Sequence, residues 1–295
     1  MKSRWLRPES TADQRGDVWI MGVLNCTPDS FSDGGNFIHA GQAVDVQQAV
    51  DHGLRMFEQG AAIIDVGGES TRPDAEPVSL QQELERVIPV IKALTEQQCP
   101  VSIDSMKAEV MAQAIEAGAC LVNDVSALAY DAASLPLLAE TGVDVCLMHM
   151  QGSPQTMQQQ PGYGDVVEAV SAFFQQRIDA CLQAGIKASA IVLDPGIGFG
   201  KRLQDNLALI QAIPQFKKTF DMPVLLGLSR KSFLGHITGS VVEDREIETA
   251  AAGSMAIAYG ADILRVHDVP TQKRAIQVAS ALSARADFKL ASLNN

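Results

Sequence analysis

The chain has 295 residues, with 23 lysines and arginines against 35 aspartates and glutamates, a formal charge of −12. That balance argues against extended binding to nucleic acid or to an anionic membrane, although a few local cations can still hold an anion. An apolar share of 46% and a charged share of 20% are those of a folded globular protein, long enough for one large α/β domain or two ordinary ones.

Residues 1–17 are polar, contain Pro8 and Gly16, and lack the apolar core of a signal peptide. A first strand is predicted over 18–24, followed by a long stretch rich in Gly, Ser and Asp up to Gly41. Val46, Val50, Leu54 and Phe57 recur three or four apart and predict a helix over 43–59, stopped by Gly60. The second strand is predicted at 61–66, a loop over 67–77, and a helix over 80–96 despite Pro89. The alternation continues with strands at 101–104, 120–125, 143–148, 190–193, 223–228 and 261–266. The helices between and after them are expected at 107–117, 131–140, 166–184, 206–213, 245–259 and 272–284. No segment reads as a membrane span. The five cysteines are odd in number and widely spaced, without a Cys-x-x-Cys pair. They are expected to be reduced and buried, as in a cytoplasmic protein.

Eight strand–helix units with nearly continuous apolar strands predict a parallel sheet covered by helices. Eight is also the number that closes a (β/α)8 TIM barrel. The expected plan is an extension at 1–17, one barrel domain at 18–288 with long βα-loops after strands one and two, and a tail at 289–295.

Polar residues gather at the strands' C-terminal ends, the face where barrel active sites form. They are Asn25 and Asp29, Asp65 and Glu69, Asp104, Asn123 and Asp124, His149, Asp194, Ser229 to Ser232, and Arg265 with His267. The opposite loops hold small or helix-terminating residues such as Gly60, Gly118, Gly142, Gly185 and Gly260. Asp104, Asn123 and Asp194 together offer acceptors and an amide donor suited to a flat heterocycle edge. Taken singly, each is as readily a helix cap or loop fastener. Arg230 and Lys231 follow strand seven, and Arg265 and His267 alternate after strand eight; with Arg72 they suggest a phosphate or pyrophosphate pocket. The five histidines show no paired metal-ligand spacing. The run from Asp194 to Lys201 is glycine-rich but matches neither nucleotide-binding fingerprint. Its glycines leave room for a ring or supply positive backbone angles.

Five ordered blocks resemble the bacterial dihydropteroate synthase family. They are Asn-Cys-Thr-Pro-Asp-Ser-Phe-Ser-Asp-Gly-Gly at 25–35, Asp-Val-Gly-Gly-Glu-Ser-Thr-Arg-Pro at 65–73, Asp-Pro-Gly-Ile-Gly-Phe-Gly-Lys at 194–201, Ser-Arg-Lys-Ser at 229–232 and Arg-Val-His-Asp-Val at 265–269. The resemblance runs from about residue 18 to the last helix; only Cys26, in place of a more usual small apolar residue, departs from the pattern. It implies condensation of 6-hydroxymethyl-7,8-dihydropterin pyrophosphate with p-aminobenzoate, in a cytoplasmic homodimer that is a sulfonamide target. Asp104, Asn123, Asp194, Lys231, Met148 and Gly227 would hold the pterin. Asn25, Arg72, Arg265 and His267 would hold the pyrophosphate, with Mg²⁺ on Asn25. Thr71, Pro73, Phe199, Lys231 and Ser232 would surround p-aminobenzoate, and Asp33 would join the closed loop. Asp104, Lys231, Arg265, His267 and Asp33 are thereby assigned to catalysis. A methyltetrahydrofolate-using methyltransferase shares the barrel and the pterin residues, but the pyrophosphate set and the Thr-Pro-Asp-Ser-Phe loop argue against it. They also argue against a silent pterin-binding protein.

Overall fold

The computed structural model describes residues 18–27, 45–70, 76–159 and 161–283. Parallel strands and intervening helices form the (β/α)8 barrel. Strand β1 (Trp19–Asn25) pairs with β2 (Ile63–Gly67) on one side and β8 (Ile263–Val266) on the other. From β2 the sheet continues through β3 (Val101–Asp104), β4 (Leu121–Asp124), β5 (Asp144–Met148) and β6 (Ile191–Asp194). Beyond β8 lies β7 (Leu225–Gly227). The ring closes through a bridge from Leu193 to Val224, where the Leu193 amide donates to the Pro223 carbonyl at 2.9 Å.

Partners in a parallel ladder share one side of the sheet, and side chains alternate with period two. Met21, Ile63, Leu121, Cys146, Val192, Leu225 and Ile263 pack on one another inside the barrel. Two residues further along these strands come Asp65, Asn123, Met148, Asp194, Gly227 and Arg265, all therefore inward, with Asp104 in register with Asn123. The alternate residues, among them Ile64, Val66, Ile103, Val122, Leu147 and Leu193, join the larger core against the helices. An apolar plug under a polar layer thus follows from register alone.

The helices are α1 (Val46–Gln59), α2 (Leu80–Glu96), α3 (Ala108–Glu116), α4 (Ser134–Thr141), α5 (Val166–Ala184), α6 (Leu203–Gln211), α7 (Ile213–Phe220), α8 (Ser232–Thr238), α9 (Glu246–Tyr259) and α10 (Val269–Leu282). Asp45, Ser79, Asp165 and Asp268 cap α1, α2, α5 and α10 through their side chains. Pro89 sits on the exposed side of α2, where the carbonyl it leaves unbonded can face water, so the helix runs on.

The structure corrects three element predictions. The helix expected at 206–213 is two: Ala212 ends α6 and starts α7, because Pro214 cannot donate to the ladder but suits a first turn. Helix α8 was missed, since seven residues containing Gly235 show no periodicity. Helix α10 starts at Val269 rather than at residue 272, because the Asp268 cap and Pro270 begin it. The long loops expected after β1 and β2 fall partly outside the described residues, and the connection between β5 and α5, from residue 149 to 165, is long. Among the described residues no helix is long and apolar enough to cross a membrane. The cysteines are unbridged, four buried and Cys120 partly so.

Candidate active site

Arg265 joins the floor of the barrel mouth. Its Nε donates to Asp65 Oδ2 at 2.6 Å and a terminal nitrogen donates to Asp104 Oδ2 at 2.8 Å. Asn123 Nδ2 donates to the same Asp65 oxygen at 2.9 Å. One guanidinium cannot neutralise two carboxylates, and Asp65 is fully buried while Asp104 keeps some solvent contact. Burial, opposed by Arg265 and reinforced by Asp65, Asp124 and Glu83, pushes the Asp104 carboxyl up to about 7. Burial disfavours the Arg265 charge, but Asp65 and Asp104 together outweigh it and hold the guanidinium above its already high range, so it stays charged.

A second cluster stands on β6 and the loop after β7. Asp194 Oδ1 accepts from the Gly196 amide at 2.8 Å, and burial raises its pKa against that bond and the neighbouring Lys231, Lys201 and Arg265. Lys231 lies with Nζ 4.0 Å from the Phe199 ring centroid, within cation–π range. Burial, with Arg265 adding, lowers its ammonium to about 8, while Asp194 and Asp104 oppose. Gly196, at φ +69°, passes so close to the loop after β5 that a Cβ there would lie 2.0 Å from the His149 carbonyl oxygen. No side chain fits, which explains that glycine.

His267 holds the rim through Nδ1, 2.9 Å from Ser229 Oγ. Asn25 ends β1, Met148 and Gly227 line the inward side, and Ser232 opens α8 on an exposed turn. The expected site residues Asp33, Thr71, Arg72 and Pro73 lie outside the described residues. Three strand-end groups prove to be supports. Arg230 Nε pairs with Glu246 at 2.6 Å, Asp124 accepts the Ser126 and Leu128 amides, and His149 is buried edge-on to Phe173. Sequence reasoning did not assign Asp65, the hub of the floor, or Lys201, 4% exposed beside His149. The signal for Asp65 was a lone charge within the apolar run Ile-Ile-Asp-Val-Gly.

Residues 21–267 match the model of the pterin-binding enzymes. The dihydropteroate synthase of Escherichia coli is 44% identical over 268 residues, covering 90% of this chain and 92% of that one. This chain belongs to the dihydropteroate synthase family. Among solved structures, a sulfonamide complex of the Yersinia pestis dihydropteroate synthase superposes with a TM-score of 0.85 at 41% identity, covering 94% of this chain and 98% of that one. The Xanthomonas albilineans dihydropteroate synthase with 4-aminobenzoic acid gives 0.82 at 44%, covering 91% and 94%. As a member of the family, the chain is a transferase that joins 6-hydroxymethyl-7,8-dihydropterin pyrophosphate to p-aminobenzoate, releasing pyrophosphate and 7,8-dihydropteroate.

Proposed function

We propose that the barrel mouth divides this reaction among three neighbouring subsites, and the observation that carries the reading is Arg265 bridging Asp65 and Asp104. Asp104, Asn123, Asp194 and Lys231 receive the pterin, with Met148 and Gly227 lining its slot. Arg265 and His267, together with Asn25 and Arg72, receive the pyrophosphate. Phe199, Lys231 and Ser232, with Thr71 and Pro73, receive p-aminobenzoate, the subsite where sulfonamides would compete. Asp33 is assigned to catalysis alongside them.

As the carbon–oxygen bond to pyrophosphate breaks, negative charge grows beside Arg265 and His267 and positive charge grows on the pterin methylene between Asp104 and Asp194. Fixed charges aimed at both ends stabilise that separation without a protein nucleophile. The p-aminobenzoate amine then attacks the methylene carbon, forming the C–N bond, and its proton passes to the departing pyrophosphate or to water. Among the described residues no three His, Cys, Asp or Glu side chains cluster as a metal cage. A single amide oxygen at Asn25 fits Mg²⁺ held largely by the substrate's own oxygens. When bound, Mg²⁺ would neutralise pyrophosphate charge. The protein is read as a cytoplasmic homodimer; the 340 Å³ apolar groove between α6, α8 and α9, with exposed Ile237 and Met255, supports the pairing.

Incubation of the purified chain with pterin pyrophosphate, p-aminobenzoate and Mg²⁺ should yield 7,8-dihydropteroate by mass spectrometry. No condensation product, with pterin still bound, would favour a silent binder instead.

A further inference from the structure

The tip of the β6–α6 loop is gripped by side chains that have no part in the reaction as described. The carbonyls of Gly198, Phe199 and Gly200 each accept one side-chain bond: from Gln158 Nε2 at 2.8 Å, Lys201 Nζ at 2.9 Å and Tyr163 Oη at 2.8 Å. The Gly198 amide donates to Asn206 Oδ1 at 2.7 Å. Lys201 also meets the His149 carbonyl at 3.1 Å and His149 Nδ1 at 3.0 Å. Burial lowers the Lys201 pKa to about 7, with Asp194 and Asp205 opposing and Lys231 adding. In its ammonium form Lys201 has three donors and no lone pair, so Nδ1 then accepts and the ring proton sits on Nε2. Burial and the Lys201 charge lower the His149 pKa to about 3, which keeps the ring neutral for that task.

All three donors of a buried ammonium are therefore spent on joining the loop after β5 to the loop after β6. Burying such a charge is unfavourable, and an apolar side chain of similar length would fill the space without that penalty. What Lys201 adds is a fixed loop position. The ring so fixed is Phe199, whose centroid lies 4.0 Å from Lys231 Nζ. Clearance there is small, since a Cβ on Gly198 would come 3.0 Å from Lys231 Cδ.

We propose that Lys201 is a positioning residue for the second substrate: it holds Phe199 against Lys231 and so sets the affinity for p-aminobenzoate. The inference rests on the assignment of Phe199 and Lys231 to that subsite. The test compares Lys201→Met and Phe199→Ala in the full chain, with folding checked by circular dichroism. KM is measured for both substrates, and pterin affinity by calorimetry. Lys201→Met should raise KM for p-aminobenzoate about ten-fold, a displacement effect, with pterin affinity held within about two-fold. An unchanged KM in Lys201→Met alongside a raised one in Phe199→Ala overturns the positioning role. Unchanged values in both overturn the subsite assignment as well. Equal losses for both substrates and for pterin binding show general damage to the mouth, and also overturn it. If Lys201→Met does not fold, Lys201→Gln, shorter and with two donors in place of three, loosens the same grip while keeping a polar group in the buried site. It should raise the same KM about three-fold, and no rise overturns the proposal.

Discussion

At the level of single residues, the site works by sharing too few cations among its carboxylates. Asp104 receives what remains of Arg265 after Asp65, and its carboxyl titrates near 7 instead of in the usual range. In the proposed pterin subsite only the ionised form would accept two N–H donors, so affinity should fall about ten-fold between roughly pH 8 and pH 6. Asp104→Asn should bind pterin more weakly by about 1–3 kcal/mol and lose that pH dependence. Calorimetric titration across the range checks both, and an equally steep profile in the variant would reassign the titration to another group. The folding consequence has the opposite sense. A raised carboxyl favours the folded state below its ordinary pKa of about 3.9, and that contribution is lost as pH rises through about 7. Arg265→Ala strands Asp65 and Asp104 together, so it should weaken pterins with and without pyrophosphate. His267→Ala is the cleaner probe: turnover of the pyrophosphate substrate should drop while binding of the plain pterin alcohol holds. Lys231→Arg keeps the charge but puts a planar fork where Gly198 and Phe199 leave little room. Steady-state and single-turnover kinetics should show kcat/KM reduced about 100-fold in a natively folded variant.

Among the elements, α5 is held to α7 by aromatic contacts. Phe174 on α5 is fully buried and meets Phe216 of α7 edge-on, with ring centroids 5.7 Å apart at 81°, and Phe220 at 5.9 Å and 87°. Edge-to-face packing adds to the area term, and truncating a buried phenylalanine leaves a cavity. Phe174→Ala should destabilise the fold by about 3–5 kcal/mol with an unchanged denaturant slope in urea unfolding. KM values should be unaffected at temperatures where the variant is folded. The α6–α7 break shows how a propensity reading fails: the apolar spacing crosses Ala212 smoothly, and only the missing donor of Pro214 divides the helix.

For the whole molecule, the acidic surface and the apolar groove are the features left over once the barrel is closed. Ile237 and Met255 are 56% and 50% exposed beside that groove, apolar side chains that a second copy would cover. Sedimentation equilibrium should find a dimer, and Met255→Glu with Ile237→Asp should shift it towards monomer without altering the circular dichroism. A monomeric wild type at micromolar concentration would remove the dimer from the proposal. Barrel closure also has a weak point, since β6 and β7 meet through a bridge next to Pro223 rather than a full ladder.

The sequence by itself determined the eight-fold alternation, the barrel class and the end of each strand at which polar residues collect. Those follow from local physics, because a period of two or of 3.6 and a glycine or proline stop are written in neighbouring residues. It also placed Asp104, Asn123, Asp194, Lys231, Arg265 and His267 at strand ends, since a charge after an apolar run is visible one residue at a time. The tertiary structure decided who pairs with whom. Arg265 reaches Asp65 across 200 positions of chain and Asp104 across 161. Arg230 is turned away to Glu246, and Lys201 folds back onto His149. Electrostatic partnership depends on distance through space and on how much water is excluded, and neither quantity exists until the ring of strands closes.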